Sequence, residues 1–243
     1  MIFAAGRGTR LGALGERTPK ALLEVGGMTM IERVARRLID AGADRLVINL
    51  HHHADAIRDF VLARDSFGVE VHFSLEPDAP LETGGGLRQA AALFRREGPL
   101  LLHNVDVVTA LDLRALLAAH RAALPLATLA VSAREATRYL MFDEAGLCGH
   151  ADRAGRETFA REASGEVRRL GFTGVHAVSP ALLDRLEGDR VFSIMTTYLR
   201  LASAGERVLP FDATGELWLD IGTPERLEAA DRLLSDSGER RDG

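Results

Sequence analysis

The chain has 243 residues, of which 47% are hydrophobic and 27% are charged, so it can bury a full core as one large domain or two small ones. A net charge of -5 and a pI near 5.9 argue against a nucleic-acid-binding surface, because such a surface needs an excess of clustered lysine and arginine. The single cysteine, Cys148, excludes a disulfide framework, and the sequence contains neither a signal-peptide core nor an apolar run of about 20 residues, so we expect a cytoplasmic protein that does not bind membranes.

Segments typical of strands and helices alternate along the first half of the chain. Residues 1–5 form a short apolar run that predicts a first strand, one or two residues short at its start. Continuous apolar runs predict further buried strands at 46–50, 69–73, 99–102 and 127–131. Helical spacing and capping residues predict helices at 29–39, 54–63, 86–95 and 113–122, with a capping box from Thr29 to Glu32 and an N-cap at Asp112. This alternation predicts a Rossmann-like, doubly wound α/β fold with a mostly parallel sheet.

The pattern is less regular after residue 131. Strands are predicted at 139–143, 171–178, 207–211 and 217–219, and helices at 180–186, 193–202 and 224–234. The polar stretch 152–169 predicts a mobile loop or a hairpin. Because neither a repeat nor a linker divides the chain, we expect a single domain over residues 1–235, with a less regular second half, and a disordered tail at 236–243.

A glycine-rich loop at residues 6–20 follows the first predicted strand. Gly6 and Gly8 can bring backbone N–H groups against phosphate oxygens, and the Arg10 guanidinium can bind two such oxygens at once. The loop lacks the third glycine of a dinucleotide-binding fingerprint and the Gly-Lys-Ser/Thr ending of a P-loop. The sequence therefore disfavours both a dehydrogenase and a P-loop NTPase.

Lys20 is the only lysine in the chain, since 29 of the 30 lysine and arginine residues are arginines. A position that keeps a compact ammonium where arginine is used everywhere else indicates close contact with a phosphate, although chance survival in an arginine-rich composition is the alternative. The loop that contains Lys20, residues 76–86 and residues 104–106 all follow predicted parallel strands. Ligands of open parallel sheets bind beyond the carboxyl ends of the strands, so these three loops predict a binding site for a small anionic ligand.

Ordered motifs extend over nearly the whole chain. They are Ala4-Ala5-Gly6-Arg7-Gly8-Thr9-Arg10-Leu11 with Thr18-Pro19-Lys20-Ala21-Leu22-Leu23, then Leu81-Glu82-Thr83-Gly84-Gly85-Gly86, Asn104-Val105-Asp106, Phe172-Thr173-Gly174 and Trp218-Leu219-Asp220-Ile221-Gly222-Thr223-Pro224-Glu225. In this order they resemble the signatures of the sugar-1-phosphate nucleotidyltransferases. The form with three glycines resembles the branch that contains the N-acetylmuramate-1-phosphate uridylyltransferases and the mannose- or heptose-1-phosphate guanylyltransferases.

The chain departs from this family at three places. Gly12-Ala13 replaces the usual Arg-Pro, and Val105 replaces the small residue that usually precedes the metal-site aspartate. The Glu-Lys-Pro signature of some branches is absent, which leaves sugar contacts within the stretch 152–169 unassigned.

The resemblance implies an enzyme that transfers a nucleotidyl group from a nucleoside triphosphate to a sugar 1-phosphate, with Mg²⁺ as cofactor. The acceptor phosphate is already anionic at neutral pH, so no general base is required. By motif position, the family likeness implies catalytic roles for Arg10 and Lys20 and metal binding by Asp106 and Asp220. It implies nucleotide contacts at Ala5, Gly6, Gly8, Thr9, Glu76, Gly84 and Gly85, and sugar contacts at Asn104, Tyr139, Thr173 and Gly174. The expected partners are the two substrates and, as an open alternative, a second copy of the chain.

Several alternatives stay open at this point. Asp106 and Asp220 also suit turn or helix capping. A transition-metal site at His51-His52-His53 is disfavoured, because neighbouring residues on a strand point to opposite sides. We favour UTP with N-acetylmuramate 1-phosphate; GTP with a mannose or heptose phosphate, a non-sugar acceptor phosphate and a non-catalytic nucleotide-sugar-binding regulator are the other possibilities. A lactyl carboxylate on the sugar would need a cation, which Arg138, Arg161, Arg168 or Arg169 offers.

Overall fold

A computed structural model describes residues 1–239, which pack as two compact units. The first unit comprises Met1–Pro80, His103–Ala110 and the segment from Leu217 onward, and the second comprises Leu81–Leu102 and Leu111–Glu216. The expectation of one domain over residues 1–235 remains a prediction beside this division. No helix within residues 1–239 is long and apolar enough to span a membrane.

The strands and α-helices of the described residues are numbered in chain order. The strands are β1 Ile2–Phe3, β2 Glu24–Val25, β3 Met28–Thr29, β4 Arg45–Leu50, β5 Glu70–Leu75, β6 Leu100–Asn104, β7 Val107–Thr109, β8 Ala127–Ser132, β9 Arg138–Asp143, β10 Gly146–Asp152, β11 Glu157–Phe159, β12 Arg168–Val178, β13 Val208–Asp212 and β14 Trp218–Asp220. The α-helices are α1 Ala13–Arg17, α2 Met30–Asp40, α3 Ala54–Leu62, α4 Glu82–Gln89, α5 Leu113–Ala123, α6 Ile194–Ser203 and α7 Pro224–Glu239.

The first unit is built on a parallel sheet in the order β6, β1, β4, β5. β1 pairs in parallel with β4 and with the end of β6, and β4 pairs in parallel with β5 along its whole length. The apolar run 46–50 is fully buried in β4, as expected for a parallel strand that is covered on both faces. This arrangement confirms the predicted Rossmann-like α/β fold.

Parallel strands place their carboxyl ends at one edge of this sheet. At that edge β1 leads into the glycine-rich loop, β5 is followed by Glu76, and β6 leads to Asp106. A separate antiparallel pair, β7 with β14, sets Asp220 opposite Val107. The fold of the first unit therefore collects several of the predicted site residues at the edge where ligands of such sheets bind.

The second unit is mainly antiparallel. Antiparallel pairing joins β8, β12, β9, β10 and β11 in that order, and β13 pairs in parallel with β8. Helix α5 packs against β8 and β12, and α6 packs against β10 and β13. This half is more regular than its sequence indicates, because the pairing of the eleven-residue β12 is long-range. Of the two alternatives for the stretch 152–169, the structure has the hairpin, made by β10 and β11.

Two predicted helix starts have different outcomes. Thr29 is the N-cap of α2, but its hydroxyl has no hydrogen-bond partner among the described residues, and Glu32 pairs with Arg36 and Arg64. The predicted capping box is therefore wrong, because Arg36 of the same helix and Arg64, which follows α3, occupy the glutamate. Asp112 caps α5 as predicted, since its carboxylate accepts from two backbone N–H groups at 2.9 and 3.0 Å.

The last helix is longer than predicted. α7 runs to Glu239 instead of ending at residue 234. Of the predicted tail at 236–243, residues 240–243 lie outside the described residues.

Candidate functional site

The lone lysine contacts one of the two predicted metal ligands. Lys20 Nζ donates to Asp106 Oδ2 at 2.8 Å, and the two side chains are only 13% and 23% exposed. Lys20 begins a short 3₁₀ turn that follows Pro19, and Asp106 lies in the turn between β6 and β7. The pairing of groups 86 residues apart in sequence gives Lys20 a defined place at the carboxyl edge of the sheet.

Asp220, the second predicted metal ligand, lies beside Asp106 in the chain fold. The Ile221 N–H donates to the Asp106 carbonyl oxygen at 3.0 Å, which ties the segment after β14 to the turn after β6. The Asp220 carboxylate accepts from the Gly222 N–H at 3.0 Å and from the Arg226 guanidinium. Sequence reasoning missed Arg226, although its position in the first turn of the helix that follows the aspartate is a usable signal.

Arg10 also reaches this place. A Cβ built on Gly222 would lie 2.7 Å from Asp220 Oδ1 and 2.9 Å from Arg10 Nη2. Because residue 222 is a glycine, the Asp220 carboxylate and the Arg10 guanidinium have space to approach its backbone. The first unit thus brings together all four charged groups for which catalytic or metal roles were predicted.

The two aspartates fit a magnesium ion. Mg²⁺ prefers oxygen ligands, takes one or two protein carboxylates and completes its octahedron with water and substrate phosphates. Asp106 and Asp220 supply that donor set on adjoining backbone segments, each beside a cation that balances its charge. Among the side chains that the structure describes, those of residues 1–235, no group of three or more His, Cys, Asp or Glu is placed to hold a metal.

The glycine-rich loop adopts turns that need glycine. Gly8 and Gly12 have φ angles of 65° and 57°, in the left-handed region that favours glycine, and they flank a 3₁₀ turn from Thr9 to Leu11. Gly6 has open space where a side chain would be, and Ala5 is buried two residues after β1. Beside the loop is a cavity of about 420 Å³, lined by Arg7, Thr9, Gly12, Gly15, Glu16, His51 and His52.

Glu76 belongs to a buried network that joins three strands. Asn49 Nδ2 donates to Glu76 Oε1 at 2.8 Å, and Asn49 Oδ1 accepts from the Ala4 N–H at 2.9 Å. His51 Nδ1 lies 2.7 Å from the Glu76 carbonyl oxygen, so this nitrogen carries the hydrogen. With Glu76 only 1% exposed, its carboxylate supports the site from beneath, and its predicted contact with the nucleotide remains a prediction. Sequence reasoning missed Asn49, the one polar residue in the apolar run 46–50.

Gly84 and Gly85 do not form the open loop that their sequence indicates. They lie in the first turns of α4, which begins at Glu82 instead of the predicted residue 86. Both N–H groups donate to the Phe192 carbonyl oxygen, at 2.9 and 3.1 Å. A Cβ on Gly84 would lie 2.3 Å from the Phe192 ring, and one on Gly85 would lie 2.5 Å from the Arg190 carbonyl oxygen. The protein's own backbone therefore occupies these two N–H groups, and the nucleotide contacts expected at Gly84 and Gly85 remain predictions.

The predicted sugar contacts lie in both units. Asn104 ends β6 in the first unit, two residues before Asp106. In the second unit the Thr173 hydroxyl donates to the Ala130 carbonyl oxygen at 2.9 Å, and the Tyr139 hydroxyl accepts from the Ala136 N–H at 3.0 Å. Gly174 has a φ of 84° and lies where the register of β12 shifts. The Thr173 and Tyr139 hydroxyls thus already make hydrogen bonds within the protein, and their contacts with a sugar remain predictions.

Comparison with known proteins bears on this geometry. Residues 1–241 match the family model described as the MobA-like NTP transferase domain. The N-acetylmuramate alpha-1-phosphate uridylyltransferase of Caulobacter vibrioides is 34% identical over an alignment of 243 positions that covers 98% of this chain and 97% of that protein. The mannose-1-phosphate guanylyltransferase catalytic subunit beta of Drosophila pseudoobscura pseudoobscura is 26% identical over 93% of this chain, which spans 59% of its length. The crystal structure of HddC from Yersinia pseudotuberculosis has a TM-score of 0.75 at 21% identity and covers 96% of this chain and 97% of that one.

Proposed function

The chain belongs to the family of MobA-like NTP transferase domains and is a nucleotidyltransferase, and we propose that its acceptor is a sugar 1-phosphate. The observation that carries the proposal is the ion pair of Lys20 with Asp106 at the carboxyl edge of a parallel sheet, beside Asp220 and Arg10. With Arg226 the cluster has two carboxylates and three cations, so it suits charged phosphates better than neutral substrates.

The reaction follows from the charges of the substrates. A phosphate oxygen of the sugar 1-phosphate attacks the α-phosphorus of the triphosphate in line, the bond from the α-phosphorus to its bridging oxygen breaks, and pyrophosphate leaves. Because the attacking oxygen is already anionic, the protein needs to align two anions and neutralise their charge, without removing a proton.

Each charged side chain has a part in that neutralisation. Lys20 would contact the reacting phosphates as a point charge, and Arg10 would bind the departing pyrophosphate through two oxygens. Asp106 and Asp220 would hold Mg²⁺, which when bound neutralises phosphate oxygens and fixes their orientation. In the structure the Lys20 ammonium already has a carboxylate partner, so it is held near the edge of the sheet before any substrate arrives.

We favour UTP and N-acetylmuramate 1-phosphate as the substrates. The support is the relative from Caulobacter vibrioides, which has higher identity than the guanylyltransferase relative and matches this chain along nearly its full length. The N–H groups of Gly84 and Gly85 do not contribute to this choice, because both donate to the Phe192 carbonyl oxygen. GTP with a mannose or heptose phosphate is the second candidate, favoured by the 26% identical relative.

Release of pyrophosphate from purified protein tests the proposal. UTP and GTP are each incubated with N-acetylmuramate, N-acetylglucosamine, glucose, mannose and heptose 1-phosphates, with Mg²⁺ and with a chelator. We expect turnover that depends on the sugar phosphate and on Mg²⁺, and that is fastest with UTP and N-acetylmuramate 1-phosphate. Fastest turnover with GTP would replace the proposed substrates, and no release with any pair would support a binding regulator.

A further inference from the structure

Arg226 pairs with a carboxylate that is also a candidate metal ligand. Its guanidinium donates to Asp220 Oδ2, while Asp220 Oδ1 accepts from the Gly222 N–H at 3.0 Å. Both residues belong to the first unit, together with Lys20 and Asp106. A cation that binds Asp220 Oδ2 therefore competes with the Arg226 guanidinium for this oxygen.

The two ion pairs of the candidate site differ in exposure. The Lys20 and Asp106 side chains are 13% and 23% exposed, so both charges are largely shielded from water. In the second pair Asp220 is 18% exposed, but the Arg226 side chain is 56% exposed. A shielded cation that loses its carboxylate has little water to replace it, whereas an exposed guanidinium regains its water. Of the two paired cations, Arg226 is therefore the one that can move.

The backbone that carries Arg226 is held in place along α7. Ala230 of this helix is completely buried, and Asp231 Oδ1 accepts from the Gly26 N–H at 2.7 Å. A Cβ on Gly26 would lie 2.7 Å from Leu234 Cβ, so the helix packs directly against this turn. Movement of the cation is therefore confined to the side chain of Arg226.

Arg10 and Arg226 flank the same carboxylate. A Cβ on Gly222 would lie 2.7 Å from Asp220 Oδ1 and 2.9 Å from Arg10 Nη2, which places Arg10 on the Oδ1 side. Arg226 lies on the Oδ2 side. A polyphosphate bound by the Arg10 guanidinium thus lies close enough for a second guanidinium, that of Arg226, to bind it as well.

The charges of the cluster favour such an exchange. Its two carboxylates are accompanied by three cations, Lys20, Arg10 and Arg226. A divalent ion that binds without a triphosphate adds two positive charges beside these cations and takes a carboxylate from Arg226. A triphosphate adds the negative charge with which the displaced guanidinium can pair. Metal and triphosphate therefore bind more favourably together than the metal does alone.

We propose that Arg226 is a phosphate-binding residue that exchanges partners: it holds Asp220 while no triphosphate is bound, and moves to the phosphates when metal and triphosphate bind. This inference rests on the proposed function and on Asp220 as a metal ligand. Arg226 then has two effects of opposite sign. It weakens binding of a divalent ion to the protein alone, and it strengthens binding of the triphosphate with its metal.

The first measurement is the binding of Mn²⁺ to the protein without substrates, followed by the electron paramagnetic resonance of the free ion. Mn²⁺ replaces Mg²⁺ as the probe because both prefer octahedral oxygen ligands. Because an exposed ion pair contributes little, Arg226→Gln should lower the dissociation constant of Mn²⁺ roughly fivefold. Arg226→Lys keeps the charge and should stay closer to wild type, and Asp220→Asn should raise the constant. The control Arg232→Gln lies on the same helix, where Arg232 Nε donates to the Glu228 carbonyl oxygen, and should leave the constant unchanged.

The second measurement is equilibrium dialysis of UTP and of GTP at saturating Mg²⁺ without a sugar phosphate. Arg226→Gln should raise the dissociation constant of the better-bound triphosphate roughly tenfold, the lower end for a charge-assisted hydrogen bond because the side chain is exposed. Arg232→Gln should again match wild type. A purely structural role of Arg226 predicts weaker binding of both ligands, so opposite shifts of the two constants distinguish the exchange from a damaged site.

The possible failures can be told apart. If Asp220→Asn binds Mn²⁺ as wild type does, Asp220 is not a metal ligand and the inference is wrong with it. If Asp220→Asn weakens Mn²⁺ binding but Arg226→Gln does not strengthen it, or leaves triphosphate binding unchanged, only the role of Arg226 is overturned. Absence of pyrophosphate release with every sugar 1-phosphate would overturn the proposed acceptor and would leave both binding constants as they are.

Discussion

Each unit has a glycine-rich motif, and the surroundings of the two motifs differ. In the first unit, a Cβ added to Gly6 would have no other atom within 4 Å. In the second unit, a Cβ added to Gly84 would lie 2.3 Å from the Phe192 ring. The two glycine-rich motifs resemble each other in composition and differ in what lies against them. The first leaves backbone open beside a cavity, and the second lets a distant segment of the same chain pack against a helix. A cluster of glycines shows that something approaches closely, and only the fold tells whether it is a ligand or the protein itself.

The charged groups of the first unit give the largest expected effects. We expect Lys20→Arg to keep the fold and to lose about 2–4 kcal/mol of transition-state stabilisation, as for the removal of a key electrostatic group. The planar guanidinium is larger than the ammonium that lies 2.8 Å from Asp106 and cannot replace its point charge. Steady-state rates measure the loss of activity, and the midpoint of thermal unfolding measures whether the fold is kept. Wild-type turnover in the folded variant would show that Lys20 has no special role with phosphate and that the lysine is there by chance.

The two aspartates of the first unit test whether its charged groups bind a metal. Asp106→Asn and Asp220→Asn should each raise the Mg²⁺ concentration needed for half-maximal rate about tenfold or more, because an amide oxygen lacks the charge that Mg²⁺ selects. Asp55→Asn is the matched control, since this carboxylate is highly exposed on α3 and pairs only with Arg58 among the described residues. Titration of the initial rate with Mg²⁺ is the measurement. Normal Mg²⁺ dependence in both site variants would remove the proposed metal pair.

The glycines themselves can be tested against each other. Gly84→Ala should destabilise the protein by about 1–3 kcal/mol through overpacking against Phe192, whereas Gly6→Ala should change stability by less than about 0.5 kcal/mol. Chemical denaturation gives both values. The double variant Gly84→Ala with Phe192→Ala should be less destabilised than the sum of the single variants, because truncation removes the two ring atoms at 2.3 and 2.4 Å and leaves only the carbonyl oxygen of residue 192, at 2.9 Å. Strict additivity would show that the Phe192 ring is not what requires glycine at position 84.

The sequence predicted features that depend on neighbouring residues and missed features that depend on contacts between residues far apart in the chain. The run 46–50 predicted a buried parallel strand because a strand that is covered on both faces has apolar residues at consecutive positions, a pattern visible in a short piece of sequence. The start of α4 was missed because three glycines are poor helix formers, and the helix there is accompanied by contacts with residues 190–194, about 110 positions away.

The site shows the same division. Residue types alone predicted an anion site with Lys20, and the family motifs implied Asp106 and Asp220, but only the folded chain shows that Lys20 and Asp106 touch. The link from Asn49 to Glu76 was invisible because it joins the middle of one strand to the end of another.

The last expected effect concerns a buried histidine in the first unit and is confined to pH values below 6.5. His103 is fully buried, its Nδ1 lies 2.8 Å from the Asn104 carbonyl oxygen, and its Nε2 has no hydrogen-bond partner among the described residues. Burial lowers the pKa of His103 from 6.5 to about 4. Above pH 6.5 the imidazole is neutral in the folded and unfolded chains, so its contribution is independent of pH there. As the pH falls from 6.5 to about 4, the unfolded chain takes up a proton that the folded chain refuses, and stability falls by about 1.4 kcal/mol per pH unit.

His103→Gln should remove this part of the pH dependence. The free energy of unfolding is measured by denaturant titration between pH 7.5 and 4.5 for wild type, His103→Gln and the control His72→Gln, whose side chain is about one-third exposed. The buried Met1 amino group, with its pKa lowered to about 5, titrates in all three proteins and cancels in the differences between them. The difference between wild type and His103→Gln should therefore stay constant above pH 6.5 and change steadily below it. A difference that is the same at every pH would show that His103 accepts its proton in the folded protein as readily as in the unfolded chain, and that the edge of the first unit's sheet is open to water at this point.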